Sequence, residues 1–314
     1  MNIAITGISG YVGTKLLKHL DGIDEVQKII GIDTREPEFS SAKLRFYRRD
    51  IREPLDELFE ENRIDTAVHL AFILRPTRQT HLTRQIDVEG TKNLANACRQ
   101  SNVKHLLYLS SHTVYGAHRD NLVPLTEESP LRPVDGFQYS HDKVEAERIL
   151  REFKSSTRNI TLTILRSCPV IGPGAIGSAT TIMFQPLIMV GVIGYDPPLQ
   201  FVHEDDLTGL LGAFITSPKE GTYNVAGDGT LRYSDVARLL GKRLLKLPGK
   251  LLELVISFSW STHLQSASPA SGLEFIKYPP VVSTEKVKSE VGFTFKYSSR
   301  EALSSFADFF QRPT

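Results

Sequence analysis

Short apolar runs alternate with amphipathic helical patterns through the first half of the chain, and that rhythm dictates a parallel sheet. Asn2–Thr6 reads as a buried strand and Tyr11–Leu20 as a helix with Val12, Leu16, Leu17 and Leu20 on one side. Further strands are expected at Lys28–Asp33, Lys43–Tyr47, Thr66–Leu70, Lys104–Ser110 and Thr161–Arg166. Helices are expected near Pro54–Glu61 and over Thr80–Ser101 and Gln138–Phe153. Parallel strands can be joined only by crossovers, which are right-handed, so the spacing predicts a doubly wound α/β sheet. The strands are apolar almost throughout, as helices on both faces require.

After Arg166 the rhythm loosens. Pro169, Gly172, Pro173, Gly174, Gly177 and Asp196-Pro197-Pro198 mark loops that leave the sheet. Phe201–Thr216 and Thr222–Val225 resume strand and helix patterns, and the chain beyond Gly227 reads as mostly helical. Two units are therefore expected: a nucleotide-binding unit of residues 1–171 plus about 199–227, and a small, mostly helical C-terminal substrate lobe of about 172–198 plus 228–314. Phe184, Ile188, Met189, Val192 and Ile193 form either a helical core stripe or the lining of a nonpolar pocket, the stripe being the commoner arrangement.

Composition removes several classes of function. A formal net charge of +1 gives no field suited to nucleic acid, and the apolar stretches Ile182–Gly194 and Leu251–Trp260 are too short to span a bilayer. Neither nucleic acid nor membrane is expected as a partner. Two cysteines, Cys98 and Cys168, cannot build a disulfide framework, which points to a reducing, cytoplasmic compartment. No metal-ligand spacing is evident.

The turn between the first strand and first helix reads Thr6-Gly7-Ile8-Ser9-Gly10-Tyr11-Val12-Gly13. Glycines there allow a tight turn, close approach of backbone to a pyrophosphate, and close packing of helix on strand; the phosphates would meet free N–H groups at the positive helix end. A glycine-rich turn alone is a weak signal. Asp33 strengthens it: it ends the second strand 20 residues beyond Gly13, where a carboxylate can accept the ribose hydroxyls. The same charge would repel a 2′-phosphate, so NAD is preferred to NADP, although Arg35 lies close enough to soften the preference.

Tyr139 and Lys143 are spaced i, i+4 at the start of a predicted helix and share a face. A phenol with a reference pKa of ~10 is a poor proton carrier at neutrality, and a neighbouring ammonium favours its phenolate. Ser110 and Ser111 end a strand at the carboxyl edge, where doubly wound sheets hold their ligands. Adjacent strand residues point oppositely, so one of the two reaches the site. Glycine turn, acidic strand end, strand-end serine and Tyr-x-x-x-Lys in this order suit proton and hydride transfer at a carbon–oxygen centre.

These motifs, with Asp50-Ile51, His69-Leu70-Ala71, Val88-Glu89-Gly90-Thr91-Lys92-Asn93-Leu94, Val114-Tyr115-Gly116, Leu165-Arg166 and Phe201–Leu207, resemble an extended short-chain dehydrogenase/reductase of the NAD-dependent epimerase/dehydratase family, in its UDP-glucose 4-epimerase-like subgroup. The resemblance covers nearly the whole chain and implies a Rossmann-type sheet. It selects Ser111, four residues before Tyr115, as the active hydroxyl beside Tyr139 and Lys143. It implies that Gly7, Ser9, Gly10, Tyr11, Val12, Gly13, Asp33, Arg35, Asp50, Ile51, Leu70, Ala71, Phe72, Pro169 and Val170 line the cofactor along with Tyr139 and Lys143. Ser111, His112 and Thr113 would meet a small-molecule substrate, and His203 would be a packing residue. A homodimer through the Thr80–Ser101 and Gln138–Phe153 helices is also implied.

Departures from the family pattern narrow the reaction. His112-Thr113 stands where dehydratases carry Asp-Glu and decarboxylases a Glu, which disfavours both. Pro169 replaces the Asn of Arg-x-x-Asn, Leu199 the Arg that meets a diphosphate, and Asp87 another usual Asn. Arg75, Arg78 and Arg84 could supply the missing charge, but read more simply as a solvated helix start. The leading expectation is NAD-dependent, epimerase-type oxidoreduction of a sugar or nucleotide-sugar. The alternatives are a dehydrogenase or reductase of a non-nucleotide substrate, similar to hydroxysteroid or flavonoid reductases, and a non-catalytic dinucleotide-binding protein.

Overall fold

The computed structural model describes residues 1–175, 184 and 186–310; Gly177, Ile182 and part of the 172–198 stretch lie outside these residues. Seven parallel strands form one sheet. They are β1 (Asn2–Thr6), β2 (Lys28–Asp33), β3 (Leu44–Arg48), β4 (Thr66–His69), β5 (His105–Ser111), β6 (Thr161–Ser167) and β11 (Gly221–Val225), in the order β11-β6-β5-β4-β1-β2-β3. The chain winds outward from β1 through β2 to β3, then returns to lay β4 on the other side of β1. That reversal opens a crevice beyond the carboxyl ends of β1 and β4, where ligands bind in such sheets.

Both faces of the sheet are covered, as the apolar strands demand. On one face Ile3 and Ile5 pack against α1 (Tyr11–Asp21), through Leu16, Leu17 and Leu20, and against α6 (Glu204–Thr216), through Leu207, Leu210 and Phe214. On the other, Ala4, Ile30 and Leu106 meet α4 (Gly90–Gln100) and α5 (Gln138–Ser156), through Leu94, Cys98, Leu150 and Phe153. Burying a leucine this fully contributes about 1.5–3 kcal/mol.

The helix expected over Thr80–Ser101 is present from Thr80 to Gln100, with a π turn inside it. A short α3 (Thr80–Arg84) widens into a π turn at Gln85–Glu89 before α4 begins. Such turns gather at functional sites, and this one carries Asp87, fully buried, toward the crevice.

Beyond the sheet stand α7 (Tyr233–Leu239), α8 (Gly249–Ser261), α9 (Glu274–Lys277), α10 (Glu285–Val291) and α11 (Ser299–Phe310). The apolar run expected as a helical stripe is a strand: β8 (Ile188–Val192) pairs in parallel with β13 (Arg243–Leu247). Met189 is buried in one core with Phe184, which packs on Phe201 and Phe306, Val192 is buried in another with Leu252, and Ile188 and Ile193 are exposed. These five residues thus form neither a stripe nor one pocket wall. Short pairs β7 (Val170–Ile171) with β10 (Val202–His203), and β9 (Pro198–Leu199) with β12 (Leu231–Arg232), tie this region to the sheet. Among the described residues no helix is long and apolar enough to cross a membrane.

Candidate active site

The glycine turn closes on itself as tightly as backbone allows. Gly7 has φ +75°, which an L side chain rarely adopts, and a Cβ there would lie 2.6 Å from the Ala71 nitrogen. A Cβ at Gly13 would lie 2.3 Å from the Gly7 oxygen. Gly10 stands at the N-cap of α1, and no side chain caps the first turn. The N–H groups of that turn therefore face the crevice as a positive, anion-accepting end. Asp33, at the exit of β2, accepts the Ser9 N–H on Oδ2 and the Arg35 N–H on Oδ1, both at 3.1 Å. The Ser9 hydroxyl donates to the Arg35 carbonyl, and the Arg35 side chain is exposed. A cradle only glycine can form, an uncapped helix start and a carboxylate at the next strand end match the diphosphate and ribose of a dinucleotide.

The other expected cofactor residues are placed in varied ways. Leu70 and Ala71 leave β4 beside Gly7, with the Ala71 N–H 3.4 Å from the Thr6 hydroxyl. Ile51 is buried, and its methyl would lie 2.5 Å from a Cβ on Gly90. Asn93 donates to the Ile51 carbonyl at 2.8 Å. Asp50 already grips Arg52 at 2.9 and 2.7 Å, a pair that holds its carboxyl below the usual range. The Tyr11 phenol turns away from the crevice to Glu204, which also takes Lys15 and the Gly174 N–H. Val12 and Val170 border the same contact, and the Pro169 carbonyl accepts the Val202 N–H at 3.1 Å. Tyr11 can thus serve a cofactor only through its backbone.

Beneath the crevice, Thr6, His69 and Thr91 form a buried chain: His69 Nδ1 lies 2.8 Å from the Thr6 hydroxyl and Nε2 3.0 Å from that of Thr91. Burial pushes the His69 imidazole down to about 3, so it is neutral. The motif residues His69, Gly90, Thr91 and Asn93 therefore fasten α4 to the sheet rather than touch a ligand.

The two strand-end serines face opposite ways. Ser110 donates to Glu147 at 2.7 Å, inside a buried ion pair where Arg166 meets both Glu147 oxygens at 3.0 and 2.7 Å. Burial would raise the Glu147 carboxyl, and the Arg166 bonds overcome it and hold the carboxyl low. Arg166 also donates to Tyr115 at 2.8 Å, whose own hydroxyl donates to Asn224 at 2.7 Å. Ser111 instead lies on the Tyr139 side, where its hydroxyl pulls the Tyr139 phenol down. Its oxygen also accepts the Thr113 N–H and hydroxyl at 3.2 and 2.9 Å. The His112 ring is buried, and burial pushes it down to about 4 against the opposing effect of the Ser167 backbone; its Nδ1 has no partner. Of the three expected substrate residues, Ser111 alone acts on the Tyr139 phenol, pulling it down.

Lys143 is buried, donates to the Leu109 carbonyl at 2.7 Å, and has the Phe72 ring 3.7 Å and the Tyr139 ring 5.9 Å from its nitrogen. Phe72 also meets Tyr139 edge-on at 5.7 Å. Burial lowers the Lys143 ammonium to about 7, against the pull of Asp87 and Glu147. Asp87 accepts the Ile73 N–H at 2.8 Å on one oxygen, and its other is buried with no partner. Burial lifts that carboxyl to about 8, against the Ile73 N–H and the Lys143 charge. Burial likewise raises the Tyr139 phenol, opposed by Ser111 and reinforced by Asp87.

A cavity of 240 Å³ opens on Tyr139, walled by Pro76, Arg78, Phe137, Trp260 and Pro269. Arg78 stacks on Trp260 at 4.2 Å and donates to the Trp260 and Gln265 carbonyls, and Arg84 lies 3.5 Å from Asp142. Both arginines remain exposed, as expected for a solvated helix start, while making these contacts. Leu199 turns into the core around Phe201 and Leu231. His203 caps α6, accepts the Asp205 N–H at 3.1 Å and stacks on Tyr297. Among the described residues no group of three or more His, Cys, Asp or Glu could hold a metal.

Sequence reasoning missed Glu147, the Asp87–Lys143 coupling and the Phe137–Trp260 walls. A charged Arg166 inside an otherwise apolar strand was the available signal for Glu147, since buried charges are paired.

The NAD dependent epimerase/dehydratase family is matched over residues 3–226. An uncharacterized protein of Mycobacterium tuberculosis is 26% identical, with 97% of this chain and 82% of the relative covered. The UDP-glucose 4-epimerase of Bacillus subtilis is 28% identical, with 53% of this chain and 52% of the relative covered. Among solved structures, a UDP-glucose 4-epimerase of Thermotoga maritima with UDP-glucose superposes with a TM-score of 0.78 at 18% identity, over 99% of both chains. The UDP-glucose 4-epimerase of Thermus thermophilus in complex with NAD gives a TM-score of 0.76 at 20% identity, over 100% of both chains.

Proposed function

The chain belongs to the NAD-dependent epimerase/dehydratase family, and from that premise we propose that it oxidises and re-reduces a secondary alcohol using NAD, in the manner of a sugar or nucleotide-sugar epimerase. The observation that carries the reading is the Tyr139–Phe72–Lys143 cluster, with the Lys143 nitrogen 5.9 Å from the Tyr139 ring and 3.7 Å from the Phe72 ring, beside the strand end that carries Ser111. When bound, NAD accepts and returns the hydride. Tyr139 takes the proton from the substrate hydroxyl and later gives it back. Ser111 accepts two bonds from Thr113, so its own hydrogen is free for the substrate oxygen or for Tyr139. Lys143, fixed by the Leu109 carbonyl and Phe72, supplies positive charge that favours the phenolate. The glycine turn and α1 hold the diphosphate, and Asp33 accepts the ribose hydroxyls and repels a 2′-phosphate.

One observation favours a second reading, a dehydrogenase or reductase of a less polar substrate. The cavity on Tyr139 is walled by Phe137, Trp260 and two prolines, its one arginine, Arg78, is spent on the Trp260 and Gln265 carbonyls, and Leu199 supplies no charge for a diphosphate. A homodimer, and a reducing compartment suited to the buried free thiols of Cys98 and Cys168, belong to the same proposal.

The test is a binding titration followed by turnover. The protein should bind NAD at least about tenfold more tightly than NADP, a difference of about 1.4 kcal/mol. With UDP-sugars it should interconvert epimers with no net NADH. Net NADH from a nonpolar alcohol selects the second reading, and absence of NAD binding rejects both.

A further inference from the structure

Helix α8 is apolar on two sides. Inward, Leu252 and Ile256 pack on Val192 and Leu247 of the β8–β13 pair. Outward, Leu251, Leu254, Val255 and Phe258 are 47, 69, 54 and 63% exposed. Their spacing of i, i+3, i+4, i+7 gathers them into one stripe along the helix. A helix apolar all round is ordinarily covered on every side.

The sheet beneath α8 carries exposed apolar residues of its own. Strand residues two apart share a face, and the register pairs Ile188 with Arg243, Val190 with Leu245 and Val192 with Leu247. α8 covers the Val192–Leu247 end of that face. Ile188, Val190 and Leu245, on the same face, are left 47, 37 and 47% exposed. Scattered exposed apolar residues are normal, but a four-residue stripe on one helix face marks a docking surface.

Charge identifies the occupant. Arg243 and Lys250 border the apolar face against Glu253, while Lys242 donates to the Pro186 carbonyl and Lys246, 3.9 Å from Asp196, donates to that of Tyr195. Lys250 precedes Leu254 by one turn, and Arg243 stands on the uncovered sheet face beside Leu245. A second copy applied to this patch would bring like charges together, which disfavours self-association. An apolar stripe with Phe258 in it and lysine or arginine at its border matches a helix lying in the plane of an anionic lipid surface. At 13 residues α8 is about 20 Å long, too short to cross a bilayer and ample to lie on one.

We propose that the outward face of α8, with the adjoining face of β8 and β13, docks this protein onto an anionic membrane surface. This runs against the sequence reading, which expected no membrane partner, and it does not depend on the reaction proposed above. Trp260, on the same helix, walls the cavity on Tyr139, so docking would hold that cavity close to the lipid.

The full chain should sediment with phosphatidylcholine vesicles containing phosphatidylserine, and much less with phosphatidylcholine alone. Binding should weaken as salt rises, because exposed charges are screened. The double variant Leu254→Ser/Phe258→Ser should lose at least about tenfold in vesicle affinity. Its thermal midpoint should not fall, because exposed side chains leave no cavity. Arg243→Glu/Lys250→Glu should lose binding to the anionic vesicles while keeping its fold. The proposal is overturned if the wild-type chain fails to bind anionic vesicles at low ionic strength. It is also overturned if Leu254→Ser/Phe258→Ser turns a solution dimer into a monomer without changing vesicle binding.

Discussion

Replacing Gly13 by alanine tests the cofactor cradle as geometry. The new Cβ would lie 2.3 Å from the Gly7 oxygen, 2.7 Å from the Ile8 oxygen and 2.8 Å from the Ile8 carbonyl carbon. All three are backbone atoms, so no side chain can swing clear. Ordinary contact begins at 3.4 Å, so α1 must withdraw from the turn by about 1 Å, and its buried Leu16, Leu17 and Leu20 resist. Overpacking of this kind costs about 1–3 kcal/mol, from which alanine's better helix propensity returns up to about 1 kcal/mol. The net loss should be about 1–2 kcal/mol, a fall of several degrees in Tm. Because the α1 N–H groups that would meet the diphosphate move with the helix, NAD affinity should fall at least about tenfold, or 1.4 kcal/mol. Thermal unfolding with and without NAD reads both effects. Gly22→Ala is the control: at the other end of α1, its nearest neighbour would be 3.8 Å away. A Gly13→Ala protein with unchanged Tm and unchanged NAD affinity would refute the reasoning.

Two further perturbations probe the buried charges. Glu147→Ala strands the Arg166 guanidinium at 1% exposure and should cost about 3–5 kcal/mol in denaturant unfolding; a loss below about 1 kcal/mol would show that the pair carries little. Asp87, lifted to about 8, binds its proton more readily folded than unfolded, so its contribution to stability falls as pH rises from about 4 to 8. Lys143, lowered to about 7, releases its proton more readily when folded, so its contribution rises between about 7 and 10.5. Asp87→Asn should therefore flatten the acid side of a Tm–pH profile and leave the alkaline rise; an unaltered acid side would remove Asp87 from the account.

The parts of this molecule that could be read in advance follow from local rules. Strands β1, β2, β4, β5 and β6 are apolar runs with turns at each end, and the Gly7–Gly13 turn is set by steric needs within a dozen residues. Strand β8 was not legible because Ile188–Ile193 is short and apolar, and period alone does not separate such a run from helix. Its partner β13 comes some fifty residues later. Glu147 was hidden differently. It sits among Glu145, Arg148, Arg151 and Glu152 on a helix that reads as solvated, and only the sheet order brings Arg166 to it. Asp87 was noticed as a departure from the family pattern. Its consequence, an unpartnered oxygen coupled to Lys143, depends on the π turn that no periodicity announces.

Everything proposed about chemistry converges on one oxygen atom. In Tyr139→Phe the ring keeps its contacts with Phe72 and Phe137 and loses only the hydroxyl. Turnover of whichever substrate the wild-type enzyme accepts should fall by about 10²–10⁴, while NAD affinity and Tm stay within error of wild type. A Tyr139→Phe protein that turned over at the wild-type rate would contradict the account.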